Sequence, residues 1–172
     1  MKLFASIHKY DVFIFTWVFN RRVHRALIEF CRSLSKTGDG LFYVLIAAVL
    51  YAYEGPSSGC LRAILLAFLI ESPMYLILKK GLKRNRPQAA LENFHSIIIP
   101  SDQFSFPSGH TSAAFMMATL LSYYFPPLIM PLYIWAFGVG CSRVVLGVHF
   151  PTDILAGSLF GISIAIFSLG LL

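Results

Sequence analysis

Apolar residues run along this sequence in segments long enough to cross a bilayer, and the polar residues that interrupt them gather in a few short clusters. A helix needs roughly 20 apolar residues to span the hydrocarbon core, fewer when interfacial side chains flank it. Five segments meet or approach that requirement: Gly40 to Tyr53, Leu61 to Leu78, Ser108 to Phe125, Leu128 to Leu146 and Thr152 to Leu172. The first is short, and Tyr43, Tyr51 and Tyr53 are suited to anchor it at the interface. Between spans, "YEGPSSG" and "FPP" read as tight turns, because Pro and Gly punctuate helices.

The first 38 residues follow another pattern. "DVFIFTWVF" is too short to span and runs straight into "NRRVHR". Beyond it, Val23, Leu27, Phe30, Cys31 and Leu34 recur at helical spacing against Arg25, Glu29, Arg32 and Ser33, which predicts an amphipathic helix lying along the headgroups. A targeting peptide fits less well, since no small-residue cleavage site follows the apolar stretch. The expected architecture is all-α and a single membrane domain over residues 1–172. Interfacial helices occupy 1–38, and a polytopic bundle of about five transmembrane helices occupies 39–172.

Composition agrees: 57% of residues are hydrophobic and 13% charged, and mean hydropathy is +0.70, whereas a soluble domain carries about a quarter charged residues. The formal charge of +6 comes without a basic stripe or an interleaved aromatic module, so the partner it implies is the lipid bilayer and not nucleic acid. Cys31, Cys60 and Cys141 lack metal-ligand or disulfide spacing and read as small apolar packers.

Five crossings put the N-terminal segment, the loop from about Lys79 to Pro107 and the corner around His149 on one face. Seven of the fourteen Lys and Arg residues precede Gly38, six lie in or beside those two later loops, and only Arg62 sits near the other face. By the positive-inside rule this face is cytoplasmic.

The three dense polar clusters all fall on that shared face. "KKGLKRNRP" (Lys79 to Pro87) closes the second span; as an isolated run it would be a lipid-facing collar. "PSGH" (Pro107 to His110) opens the third, where a helix start with Ser108 and Gly109 offers backbone amides and a favourable dipole to an anion. "SRVVLGVHFPTD" (Ser142 to Asp153) places Pro151 at a helix start, with Asp153 four residues beyond His149. A carboxylate fixing one ring nitrogen frees the other as nucleophile or base, though the two would also make an ordinary buried ion pair. Arg143 adds a planar, permanently charged fork. The inventory points to an oxyanion substrate. Asp153, Asp102 and Glu92 are the only carboxylates near these loops, too few for a two-metal site.

Taken in order, these motifs resemble the three signatures of the type 2 phosphatidic acid phosphatase superfamily of integral-membrane lipid phosphatases. The resemblance implies that Lys79, Arg86, Ser108, Gly109 and Arg143 bind the phosphoryl oxygens. It implies further that His149 attacks phosphorus to form a phosphohistidine, that Asp153 orients it, and that His110 protonates the leaving group. Lys80, Lys83 and Arg84 fall between motif positions and receive no role. No cofactor and no metal are required. Many membrane relatives have six spans and a periplasmic or lumenal site, against the cytoplasmic charge bias read above.

Other readings stay open: a phosphotransferase using the same site, or a haem-binding membrane protein with His110 and His149 as ligands. The loop from Ala89 to Ser105 is expected to form a lid, with His95 and Asp102 its conspicuous polar side chains. Glu71, inside a span in "FLIESPMYLI", is either functional or a structural partner of a tyrosine, a serine or Arg62.

Overall fold

The computed structural model describes residues 2–19, 24–100 and 102–172, with side chains in the first helix from Lys9 onward. Among these residues the helices are α1 (Lys2–Phe19), α2 (Arg25–Lys36), α3 (Gly40–Glu54), α4 (Gly59–Leu82), α5 (Pro87–Ala90), α6 (Gly109–Tyr124), α7 (Ile129–Val145) and α8 (Pro151–Gly170), with a 3-10 turn at Pro126–Leu128. All five predicted segments are therefore helical. The expectations for Arg21, Arg22 and Val23 lie outside the described residues.

Local chemistry sets the ends. Ser58 caps α4 by accepting from the Leu61 amide at 3.2 Å, and Lys83, in the left-handed region, closes its far end by donating to the Lys79 carbonyl. Pro151 begins α8, where its missing N–H costs nothing.

By length and apolarity α4, the stretch Pro126–Val145 and α8 each suffice to cross a membrane. A fourth span results if α2 and α3, which meet at a 50° bend, form one broken crossing. Helix α6 has 16 residues, about 24 Å at 1.5 Å per residue, and needs little contact with lipid because its neighbours enclose it: Ala114, Met116, Met117, Ala118 and Leu120 are buried. The outward faces carry Leu45, Leu69, Phe137 and Leu159, all exposed, as a lipid-facing surface requires. The chain is a multi-pass membrane helix bundle.

Helices α6 and α8 make the closest contact. A Cβ on Gly157 would lie 2.6 Å from the Ser108 carbonyl oxygen, and one on Gly161 would collide with the Ser112 carbonyl. Small residues four apart let two helix backbones touch where lipid supplies no hydrophobic drive. Nearby, Ser112 Oγ donates to Glu71 Oε1 at 2.8 Å, so the buried carboxylate of α4 is paired with a serine of α6.

The N-terminal helices are more deeply engaged than amphipathicity alone suggests. Leu27 and Phe30 of α2 face outward, whereas Cys31 and Ser35 are buried on the side packed against α7. In α1, Tyr10, Phe13 and Trp17 are exposed while Asp11 and Phe15 turn inward. Phe15 stacks on Phe19 and meets Phe94 and Phe150 edge-on at 5.1 and 5.4 Å. Cys31 and Cys60 are buried as expected, but Cys141 is exposed on the outer side of α7, where packing needs no small residue.

Candidate active site

The corner between α7 and α8 carries the third cluster. Leu146 and Gly147 still donate to α7 carbonyls, Val148 donates to the Arg143 carbonyl, and the chain then enters α8 at Pro151. Asp153, in the first turn of α8, accepts the Phe150 amide on Oδ2 at 2.8 Å. The same oxygen lies 3.5 Å from His149 Nδ1, an ion-pair separation longer than a good hydrogen bond. His149 is 2% exposed and Asp153 fully buried.

The first cluster packs onto this corner. Arg86 Nη1 donates to the Val148 carbonyl at 2.7 Å and faces His149 Nε2 at 3.3 Å. A guanidinium only donates, so Nε2 is the bare nitrogen and the ring proton sits on Nδ1, toward Asp153. Burial first, and then Arg86 and Arg143 against the opposing pull of Asp153, push the His149 ring down to about 4. It is neutral at pH 7, with a lone pair on Nε2.

Lys79, at the end of α4, is buried; its Nζ bonds the Tyr75 hydroxyl, lies 4.6 Å from that ring's centroid, and meets Asp102 Oδ2 at 2.7 Å. Asp102 also bonds Arg86 through Oδ1 and its own carbonyl. Burial alone would raise the Asp102 carboxyl, but the Lys79 and Arg86 hydrogen bonds hold it below the usual carboxylate range.

In the second cluster Ser108 holds the N-cap position of α6 without a side-chain bond to its first-turn amides. Its amide donates to the Asp153 carbonyl at 3.1 Å, and its hydroxyl accepts from Thr111 at 2.9 Å. That amide is therefore occupied, contrary to the free donor expected from the sequence, because α8 packs against it. A Cβ on Gly109 would sit 2.9 Å from Tyr75 Cζ, so a larger residue there would push the Tyr75 ring aside. His110 Nε2 lies 2.7 Å from Asp39 Oδ1 in the break between α2 and α3. Arg143 is buried, donates to Ser35 Oγ of α2 at 2.7 Å, and lies within Coulombic reach of both histidines. His110 and Arg143 line a cavity of about 270 Å³ whose other walls include Ser35, Lys36, Asp39 and Ile98.

All eight predicted site residues thus lie at one end of the bundle, in two adjoining groups. Asp153, His149, Arg86 and Lys79 form one, with Asp153 and Arg86 on either side of the His149 ring and Asp102 linking Arg86 to Lys79; His110 and Arg143 face the cavity beside it, and Ser108 and Gly109 join the two through α6. His95, by contrast, is exposed in the loop.

Several residues at this end went unassigned in the sequence. Arg84 forks between two buried carboxylates, reaching Asp153 Oδ1 at 2.7 Å and Asp11 Oδ2 at 2.5 Å, and also bonds Thr152. Its guanidinium lies 4.7 Å from the Phe150 centroid. Asp11 takes the Thr152 amide at 3.0 Å and so docks α1 under the start of α8. Together with Asp39 and Asp102, all four aspartates of the chain gather here. Their scarcity was the available signal: in a chain with eight acidic residues, each one near a cationic face is a partner to be placed. Among the described residues no group of three or more His, Cys, Asp or Glu is arranged to hold a metal ion.

Comparison with known proteins gives one consistent result. Residues 60–171 match the model of the PAP2 superfamily. Phosphatidylglycerophosphatase B of Bacillus subtilis (strain 168) is 34% identical over 75% of this chain and 61% of its own length. The crystal structure of Aquifex aeolicus LpxE superposes with a TM-score of 0.83 at 31% identity, covering 92% of this chain and 94% of that one. A transmembrane PAP2 type phosphatidylglycerolphosphate phosphatase from Bacillus subtilis gives 0.80 at 26% identity over 96% and 86%. The matches to the first curated relatives span 61 to 64% of those relatives' lengths.

Proposed function

This chain belongs to the PAP2 superfamily, and on that footing we propose that it is a metal-independent membrane phosphatase that hydrolyses a lipid phosphate or diphosphate through a phosphohistidine. The observation that carries the reading is the buried series Asp153, His149, Arg86: a neutral imidazole with its bare Nε2 facing a guanidinium, at the end of a membrane bundle.

The lipid keeps its tails beside the helices and presents its headgroup to the cations. Arg86, Lys79 and Arg143, with Ser108 and the first-turn amides of α6 at Gly109, neutralise the equatorial oxygens, which is where phosphoryl transfer needs fixed positive charge. His149 Nε2 forms the bond to phosphorus as the bond to the leaving oxygen breaks, and His110, as the imidazolium paired with Asp39, delivers a proton to that oxygen. The Nδ1 proton stays on His149, stabilised by Asp153. Water then attacks the phosphohistidine, gives its proton to His110 and releases orthophosphate, restoring both rings. Each step uses side chains of this chain and calls on no cofactor.

The names of the relatives suggest the substrates to try: phosphatidylglycerol phosphate and lipid A 1-phosphate, beside phosphatidic acid and undecaprenyl diphosphate. Purified protein should release orthophosphate from at least one and leave an acid-labile phosphoenzyme that His149→Ala abolishes. Silence on the whole panel, or full activity in His149→Ala, refutes the proposal. Label passed to an added lipid acceptor instead of water would make the enzyme a transferase. Because α8 runs from the site to the opposite end of the bundle, a reporter after Leu172 reads the other face: a periplasmic reporter puts the site in the cytoplasm.

A further inference from the structure

Lys79 and Arg86, the two outer cations of the first cluster, are both held by one carboxylate. Asp102 Oδ2 takes Lys79 Nζ at 2.7 Å and the Tyr75 hydroxyl at 3.1 Å, while Oδ1 takes Arg86 Nη2 and the Asp102 carbonyl takes Arg86 Nε at 2.9 Å. The Asp102 side chain is 38% exposed against 6% for Lys79 and 5% for Arg86. The carboxylate therefore covers the two buried cations from outside. The same Arg86 fork faces His149 Nε2, so the seat that Asp102 fills adjoins the bare ring nitrogen.

An anion that binds Lys79 and Arg86 must displace this carboxylate. A phosphodiester headgroup brings one negative charge on two free oxygens, no more than the carboxylate already provides, and must also be desolvated, so the exchange gains nothing. A phosphomonoester brings about −1.5 to −2 at pH 7 and three acceptor oxygens, enough to outcompete one carboxylate at two cations and to engage Arg143 as well. In a bilayer this difference matters, because diester headgroups surround the site at very high local concentration.

We propose that Asp102 is a specificity-determining residue, an internal counter-anion that reserves Lys79 and Arg86 for phosphomonoester dianions and excludes the diester headgroups of the surrounding membrane. This rests on the lipid-phosphatase reading for the identity of the ligand.

The experiment titrates detergent-purified wild type, Asp102→Asn and Asp102→Ala with inorganic phosphate and with short-chain phosphatidylglycerol, reading the thermal unfolding midpoint. Wild type should be stabilised by phosphate and hardly by the diester. In both variants the apparent affinity for the diester should rise by about tenfold or more, the scale of a lost charged hydrogen bond, and the preference for phosphate should narrow. Unchanged diester affinity overturns the proposal. So does loss of phosphate binding, or of folded protein in both variants, since Asp102 would then be a strut for the cations and not their competitor. Wild-type turnover of lipid phosphomonoesters, measured separately, tests the phosphatase reading itself.

Discussion

Gly157→Ala adds one methyl group at the point where α8 rests on α6. Its Cβ would lie 2.6 Å from the Ser108 carbonyl oxygen, 3.3 Å from Thr111 Cβ and 3.4 Å from the Ser112 amide nitrogen. Two of these are backbone atoms, which cannot rotate aside, and ordinary contact begins at 3.4 Å. The helices must therefore separate by 3.4 − 2.6, about 0.8 Å, at this position. One turn earlier on α8, Asp153 accepts the Ser108 amide through its carbonyl and faces His149 Nδ1 at 3.5 Å. The displacement thus moves the carboxylate relative to both the imidazole and the start of α6. Misplacement on the order of 1 Å costs about 10²-fold in rate, and overpacking costs about 1–3 kcal/mol, against roughly 0.5–1 kcal/mol that Ala returns in helix propensity. Orthophosphate release from a saturating short-chain lipid phosphate should fall by one to two orders of magnitude, with a lower thermal midpoint. Gly170→Ala, on the same helix with nothing within 4 Å of its Cβ, is the control and should behave as wild type. A Gly157→Ala enzyme within about twofold of wild type, with an unchanged midpoint, would refute the account of how α8 positions Asp153.

Arg84→Met strands two buried carboxylates, Asp11 and Asp153; breaking such a pair costs about 3–5 kcal/mol, so the midpoint should drop sharply. Adding Asp11→Asn should recover part of it, and a double-mutant cycle measures how much. Asp39→Asn keeps a hydrogen-bonding group beside His110 but removes the charge; it should lower kcat more than it raises KM, because Asp39 touches the ring and none of the phosphate-binding cations. Steady-state kinetics decide this, and an effect confined to KM would contradict the pairing. Burial keeps His149 neutral down to about 4, so its ring signals, followed by NMR, should titrate near 4 and not at the 6.5 or so of a free imidazole. The stability sign follows: between those two values the unfolded chain binds the proton and the folded one does not, so this group makes the fold less stable as pH falls from about 6.5 toward 4. A pH titration of the ring signals and of the thermal midpoint checks the pair, and a His149 ring that titrates near 6.5 would show that it is not buried as described.

Much of the site was legible because its chemistry is written in short segments. His149, Pro151 and Asp153 lie within five residues, and a helix starting at Pro151 brings the carboxylate to the ring whatever the rest of the chain does. Arg84 shows the limit. Inside a run of five cations its side chain is indistinguishable from Lys83 until Asp11, 73 residues away, arrives to bond it. Asp102 reads as one acid in a lid loop; only the packing of that loop over α4 reveals that it covers the cations. The amphipathic pattern of α2 indicated which residues leave water, but Ser35, the residue that receives Arg143, was not among those singled out on either face.

By itself, then, the sequence determined the helices, their ends and the residue types gathered at one end of the bundle. Hydrophobic periodicity, proline, glycine and caps act over a few residues, and apolar length alone decides what a bilayer accepts. Only the tertiary structure decided who pairs with whom: His110 with Asp39 across 71 positions, Asp102 with Lys79 and Arg86, Gly157 against the Ser108 carbonyl. Coulombic and steric energies depend on distance through space, and inside a bundle that distance is set by how helices stack, for which separation along the chain is no guide.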